Sequence, residues 1–438
     1  MYVNNESSIL STKCRKYGVA FDIGTTTVVG MLCDLNKNCL IDTIAKTNPQ
    51  SSFGLDVISR ITYVDNNEKK LRDMQHLIIE CCNEILEFFL DRHMILKDWL
   101  CKATVVGNTT MSHLFLAIDP SGLAHSPFNA GFNGIMKKTA SELGLNMNDD
   151  AEIFILPNIA SHVGSDIVGV MIASGIKKKH GITIVIDIGT NGEVVLSGKD
   201  RILVCSTAAG PAFEGAGIYN GMRAVEGAIE KIKIHKDNVH FQVIGNKEPR
   251  GLCGSGIIDA VAAMLDSEIL DYTGKLITQE EAAARGFHVE IVNRLRKGIH
   301  GNEFVIAWRD DKDIVITQKD IREIQLAKSA IFGGTLILLK CLDIDIADIT
   351  EILLAGAFGS NINVKSALRI GLLPDVDENQ IHSLGNAAGA GACMALLSEG
   401  VIKEANMRAI EAEHVELALH PNFEKLFLEC MNFPKNRG

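Results

Sequence analysis

No Cys-x-x-Cys pair occurs in this chain of 438 residues, although it carries 11 cysteines. The plant-type ferredoxin spacing is missing as well, so no iron–sulfur cluster held within this chain is expected. Most of the cysteines sit in apolar surroundings, as Cys341 does beside Leu338, Leu339 and Leu342. They read as reduced, buried thiols that act as small hydrophobes. No uninterrupted run of 18 apolar residues marks a membrane span. Residues 1–16 are polar, lack the apolar core of a signal peptide and read as a short disordered leader, which favours a cytoplasmic protein. A basic surplus is also missing: 43 Lys and Arg stand against 54 Asp and Glu, a formal net charge of −11. With no long basic stripe, a nucleic-acid partner is not expected, and residues 177–179 read as a solvated helix end. Prolines are few, 9 against 39 glycines, and many of the glycines fall inside tight motifs rather than linkers.

The stretch that organises the chain is 185–193, Val-Ile-Asp-Ile-Gly-Thr-Asn-Gly-Glu. A β-branched run says buried strand; a Gly-Thr-Asn-Gly turn follows, and then a second apolar strand. The tip of such a hairpin offers backbone N–H groups, a hydroxyl and a carboxylate, which can cradle phosphate while the aspartate holds Mg²⁺ through its water shell. An ordinary Asn-Gly turn explains it equally well in isolation. The device recurs, however, at 19–30, where strand, Asp22-Ile23-Gly24-Thr25 and strand follow one another. Two phosphate hairpins a domain's length apart suggest two related lobes facing one nucleotide.

The length allows two or more domains with substantial cores. The first lobe is expected over residues 17–178 and the second over 179–438, with an inserted subdomain around 272–316. Residues 71–90 carry helical periodicity. The segment 48–60 reads as a loop entering a helix, its polar groups facing a ligand or capping the helix. Gly107-Asn108-Thr109 can point hydroxyls at a ligand or start a helix. The small-residue loop 206–215 can approach a nucleotide closely, with Gly210 and Glu214 in it. Gly254 and Ser255 precede a helix expected near Ile257, where N–H groups suit an anion or form a plain cap. A capping box at 317–320 opens a long helix. Gly356, Ala357, Phe358 and Gly359 follow a buried strand and would let a flat heterocycle near the backbone. Small-residue helices at 157–169 and 385–396 are expected to cross where the lobes hinge, and a last helix is expected from 404 to 430.

The order of phosphate hairpin, connecting helix, phosphate hairpin, nucleoside loop and connecting helix resembles the acetate kinase, sugar kinase, heat-shock chaperone and actin superfamily. That is an α/β fold of two ribonuclease H-like lobes with a nucleotide cleft. One family fits more closely. The strings NPQ (48–50), DVISRI (56–61), GNTTMSHL (107–114), DIGTNGE (187–193), STAAGPAFEGAGI (206–218), GMRAVEGAIE (221–230), CGSGIIDA (253–260), AGAFG (355–359) and MNFP (431–434) resemble the ATP-binding part of reductive activators of corrinoid proteins.

The resemblance implies ATP hydrolysis coupled to reduction of a cob(II) cofactor to cob(I) on a separate corrinoid protein of a methyltransferase system. In that family an iron–sulfur domain usually accompanies the ATP-binding part; with no cluster spacing here, a separate iron–sulfur electron donor is expected. The cofactors implied are ATP and Mg²⁺. Asp22, Gly24, Thr25, Thr26 and Thr27 match the first phosphate motif; Asp187, Gly189, Thr190, Asn191 and Gly192 match the second. Asp22 and Asp187 would position Mg²⁺ through water and orient the attacking water, and Glu193 would assist. A small-molecule kinase of the same superfamily and a nucleotide-dependent binding or chaperone-like module are the competing readings. A second copy of the chain as partner stays open.

Overall fold

The computed structural model describes residues 16–126, 128–359 and 361–435. Of the expected leader, residues 1–16, all but the last lie outside them; Lys16 is held, its N–H donating to Asn36 Oδ1 at 2.8 Å. The chain forms two compact units. Met1–Gly169 joins Gly389–Met407 in the first, and Val170–Ala388 joins Arg408–Gly438 in the second. The division therefore falls inside the helix Ser165–Ser174, earlier than residue 178, and a segment near the C-terminus returns to the first unit.

The first unit is built on strands β1 (Tyr17–Ile23), β2 (Thr27–Asp34), β3 (Cys39–Thr47), β4 (Leu100–Gly107), β5 (Met136–Thr139) and β6 (Glu152–Ile155), in the order β3-β2-β1-β4-β6-β5. β1 runs antiparallel to β2 and parallel to β4. The helix Glu68–His93 supplies the crossover, and its buried stripe is Leu71, Met74, Ile78, Cys82, Ile85, Leu86 and Phe89, as the periodicity requires. This helix lies so close to the sheet that a Cβ on Gly30 of β2 would sit 2.3 Å from Ile85 Cγ2. The helix Ala387–Leu397 contacts the same sheet: Thr104 Oγ1 of β4 donates to the Ala392 carbonyl at 2.8 Å, and Leu396 fills the space a Cβ on Gly18 would need.

The expected small-residue contact is present. A Cβ on Gly391 would lie 2.1 Å from the Gly169 carbonyl oxygen. The first of the two helices is shorter than expected, starting at Ser165. Residues 157–164 run irregularly because Ser165 is tied to the end of β4: its Oγ donates to the Gly107 carbonyl at 3.1 Å, and its N–H donates to Asn158 Oδ1.

The second unit repeats the plan. Its strands are β7 (Ile182–Ile188), β8 (Gly192–Gly198), β9 (Arg201–Thr207), β10 (Ala228–Ile234), β11 (Val239–Val243), β12 (Gly251–Leu252), β13 (Leu295–Gly298), β14 (Gly301–Ala307), β15 (Ile314–Thr317), β16 (Ile349–Ala355), β17 (Ile381–Gly385) and β18 (Ala412–His414). The main sheet has the order β17-β16-β7-β8-β9-β18, with smaller sheets β11-β10-β12 and β13-β14-β15. In both main sheets an antiparallel three-stranded run in chain order is extended by parallel strands on the side of its first strand. This duplicated α/β arrangement is the ribonuclease H-like one.

Residues 272–316 do form two short helices and a small sheet, but their Leu276, Ile291 and Phe304 share one core with the main sheet. The single long helix expected over 404–430 is replaced by three pieces. The helix Glu399–Glu411 stops so that β18 can pair with β9, and a last helix, Phe423–Cys430, starts after Pro421. The capping box at Thr317 is formed, Asp320 N–H to Thr317 Oγ1 at 3.1 Å and Thr317 N–H to Asp320 Oδ2 at 2.9 Å. The helix it opens, Gln318–Cys341, has the length and apolarity of a membrane span yet is mostly buried as the central helix of this unit.

That helix also explains the MNFP string. Gln325 Nε2 donates to the Met431 carbonyl at 2.6 Å, the buried Lys328 donates to the Cys430 and Asn432 carbonyls, and Phe433 packs beneath the ammonium group. The string is a latch for the end of the chain. Burial lowers the Lys328 pKa to about 8. The unfolded chain then binds more protons than the folded one between about pH 8 and pH 10.5, so stability rises with pH across that window. Below pH 8 the full cost of burying the cation is present. Against Lys328→Met, in which other titrations cancel, wild type should gain up to about 3 kcal/mol between pH 7 and pH 10.5. Urea unfolding of both proteins at the two pH values measures it; a constant difference would mean that Lys328 titrates normally.

Candidate functional site

The hairpin β7–β8 has its turn at Gly189-Thr190-Asn191, where the Gly189 N–H donates to the Asn191 carbonyl at 3.0 Å. Asp187 is the residue of β7 directly opposite Glu193 of β8, and Glu193 in turn is opposite Ser206 of β9. Directly opposed residues share a face, so the three side chains form a row across the sheet. Ser206 Oγ donates to Glu193 Oε1 at 3.1 Å. Glu193 is only 8% exposed, which rules out the solvent-facing strand residue it would otherwise be. Two carboxylates set opposite each other on a ladder repel, and a cation nearby offsets that repulsion.

On the other side of β7 the partner of Asp187 is Ala355, the last residue of β16. Gly356 follows with φ +84°, and a Cβ there would lie 2.6 Å from Asp187 Oδ1. Glycine is required for both reasons. The sequence suggested this glycine as room for a heterocycle; the structure instead sets it against the aspartate. Gly359 closes the short turn Gly356–Gly359, while the Ala357 and Phe358 side chains lie outside the described residues.

The third carboxylate comes from the loop after β9. Gly210 (φ +75°) leads into the single turn Pro211–Glu214, and Gly215 (φ +82°) leaves it. Glu214 thereby reaches Thr190, whose Oγ1 donates to both carboxylate oxygens at 3.2 Å. A Cβ on Gly210 would meet nothing within 4 Å, so open space adjoins the backbone there. Gly192, by contrast, is a packing position: a Cβ would meet Ile331 at 2.5 Å. Gly254 and Ser255 lie inside the first turn of the helix Gly254–Asp266 and are buried. The helix begins three residues before Ile257, and within it Gly256 abuts the Ile229 carbonyl of β10, where a Cβ would come within 2.2 Å.

The first unit carries the matching hairpin. Asp22 is opposite Val29 and beside Val106, so the second acid found across from Asp187 has no counterpart across from Asp22. Gly24 donates its N–H to the Thr27 carbonyl at 2.9 Å. Four polar side chains brace this turn, and their role was not legible as such in the sequence. Asn48 Nδ2 donates to the Gly24 carbonyl at 2.8 Å and its N–H to the Thr26 carbonyl at 2.9 Å. Asn108 Nδ2 donates to Thr25 Oγ1 at 2.9 Å while its Oδ1 caps the helix Thr109–Leu116. Gln50 holds Arg60, which is fully buried and donates to the Thr25 and Gly54 carbonyls and to Gln50 Oε1. Burial lowers the Arg60 pKa to about 10, which leaves it cationic at neutral pH behind the turn. NPQ and DVISRI are therefore the supports of the first Asp-Ile-Gly-Thr hairpin.

Among the described residues no three His, Cys, Asp or Glu side chains converge as a metal-holding group. Mg²⁺ at nucleotide sites takes one or two carboxylates and completes its shell with phosphate and water. Asp187 beside Glu193, next to a turn of half-exposed N–H groups, is a donor set of that kind.

Duplicated sheets with an Asp-Ile-Gly-Thr hairpin in each define a protein of the acetate and sugar kinase, heat-shock and actin class. Comparison with known proteins narrows this. The family model described as "RACo middle region" matches residues 17–179, and that described as "C-terminal domain of RACo the ASKHA domain" matches 181–438. The corrinoid activation enzyme RamQ of Eubacterium limosum is 36% identical over 427 residues, covering 96% of this chain and 71% of that one. The [Co(II) methylated amine-specific corrinoid protein] reductase of Methanosarcina barkeri is 27% identical over 436 residues, covering 94% and 76%. A solved structure of a reductive activator for corrinoid, iron–sulfur protein superposes with a TM-score of 0.85 at 39% identity, covering 97% of this chain and 67% of that one. The chain belongs to this family of reductive activators of corrinoid proteins.

Proposed function

We propose that this protein binds Mg-ATP, hydrolyses it, and uses the hydrolysis to return a corrinoid cofactor from cob(II) to cob(I). The cofactor is carried by a separate protein of a methyltransferase system, and the electrons come from a separate iron–sulfur donor. The observation that carries this reading is the Asp187–Glu193 pair on the phosphate hairpin of a chain in this family. The reduction is uphill, and nucleotide turnover supplies the bias that makes it go.

Bound Mg²⁺ would neutralise charge on the transferring phosphoryl group. The residues do the positioning, which is most of what such a reaction requires. The backbone N–H groups at the tips of the two turns, Thr190–Asn191 and Thr25–Thr26, face phosphate oxygens. Asp187, with Glu193 beside it, holds the metal's water shell and orients the attacking water; Asp22 does the corresponding work on the first hairpin. Glu214 fixes Thr190, and Gly210 leaves room for the nucleoside. We place this activity in the cytoplasm, where thiols such as these stay reduced.

The test is an anaerobic absorbance assay of cob(II) loss, with this protein, a strong reductant and a corrinoid protein of the same organism. ATP is expected to accelerate the loss. If no such corrinoid protein responds, the activator reading fails; calorimetric binding of Mg-ATP without any response would favour a nucleotide-dependent binding module.

A further inference from the structure

Two cysteines 360 positions apart meet in the first unit: Cys33 on β2 and Cys393 on the helix Ala387–Leu397 hold their sulfurs 3.9 Å apart, and Met31 Sδ lies 3.6 Å from Cys393 Sγ. A disulfide needs a sulfur separation near 2.0 Å, so the two sulfurs must approach by about two ångströms to form one. Cys33 is fully buried on the sheet, whereas Cys393 is partly exposed, so a small oxidant reaches the pair from the helix side. The other thiols differ in setting, and Cys341, expected to be buried among its leucine neighbours, is exposed because it ends the helix Gln318–Cys341 on its outer side. Burial pushes Cys81 up to about 11 and holds Cys82 and Cys205 well above the usual thiol range. Among the described residues Cys33 is the one shifted thiol held low, by its hydrogen bond with Cys393, which is pushed up in turn.

We propose that Cys33 and Cys393 form a reversible intrachain disulfide when the protein meets a peroxide, stapling the helix Ala387–Leu397 to β2. Cys393 Sγ, the accessible sulfur, passes its proton to Cys33 Sγ and attacks one peroxide oxygen; the O–O bond breaks, hydroxide leaves, and Cys393 becomes a sulfenic acid. Cys33 Sγ then attacks that sulfur, the S–O bond breaks, and water leaves. Two electrons pass from the two thiols to hydrogen peroxide, and a dithiol reductant reverses the change. The bond closes a loop that contains all of residues 170–388, and it ties down the helix whose Gly391 lies against Gly169.

The experiment treats the full chain with hydrogen peroxide, blocks remaining thiols by alkylation and digests with trypsin. Residues 17–37 and 370–403 are released as peptides with one cysteine each, Cys33 and Cys393. The expected product is these two peptides joined, lost on treatment with dithiothreitol. A thermal midpoint about 5 °C above that of the reduced protein should accompany it, since closing so long a loop restricts the unfolded chain. Cys393→Ser should abolish both the joined peptide and the shift, and Cys33→Ala provides the second check. Free, alkylated Cys33 and Cys393 after oxidation of the exposed Cys39 and Cys341 would overturn the proposal, as would a sulfinic acid at Cys393 without any joined peptide.

Discussion

Asp187→Asn is expected to lower ATP hydrolysis about 100-fold or more while leaving the unfolding midpoint close to wild type. The change keeps the volume and shape of the side chain, so its close approach to Gly356 survives. What it removes is one negative charge from the position opposite Glu193, the charge that the proposed mechanism aims at a metal and a water. Positioned charge of this kind contributes several kcal/mol to phosphoryl transfer, and each 1.4 kcal/mol is a factor of ten. Steady-state phosphate release, together with calorimetry for Mg-ATP, separates the loss of turnover from a loss of binding. Wild-type turnover in the variant would reduce Asp187 to a turn residue.

The second large effect is expected at a position remote from any phosphate. Gly391→Ala should destabilise the protein by about 2–4 kcal/mol, because the new methyl group would lie 2.1 Å from the Gly169 carbonyl oxygen and 2.5 Å from its Cα. Both are backbone atoms, so no rotamer change relieves the clash and the two helices must move apart. Gly400→Ala is the control: it lies in the exposed helix Glu399–Glu411, its Cβ would meet nothing nearer than 3.5 Å, and it should be neutral or slightly stabilising. Urea unfolding of the three proteins decides it. A wild-type midpoint for Gly391→Ala would mean that the helices do not touch in solution.

The hairpins, the helix Glu68–His93 and the capping box at Thr317 were legible from local pattern, because period, cap chemistry and turn residues act over a few positions. Asn48, Gln50 and Arg60 were visible as polar residues at a helix entrance, yet the partners of Asn48 and Arg60 lie on the turn 24–26, Gln50 acts by holding Arg60 and the Met74 carbonyl, and none of this could be read from neighbours in the chain. The end of the chain misled for the same reason. A helical pattern over 404–430 gives way at 412–414 to a strand, because the edge of β9 offers a ladder that local propensity does not register.

The sequence by itself determined the class of this protein. Two Asp-Ile-Gly-Thr turns after β-branched strands state the duplicated fold, and long family strings such as DIGTNGE and STAAGPAFEGAGI name the relatives, since each string records a local backbone requirement. Only the tertiary structure decided where each string sits and which of them hold the frame. Asp187 faces Glu193 because strands pair, Gly356 serves the aspartate because β16 lies beside β7, and MNFP is a latch because the buried Lys328 and Gln325 wait for its carbonyls. It also returned residues 389–407 to the first unit, where Gly391 meets Gly169. These are long-range contacts, set by how the elements fit against one another, and no window along the chain contains both of their partners.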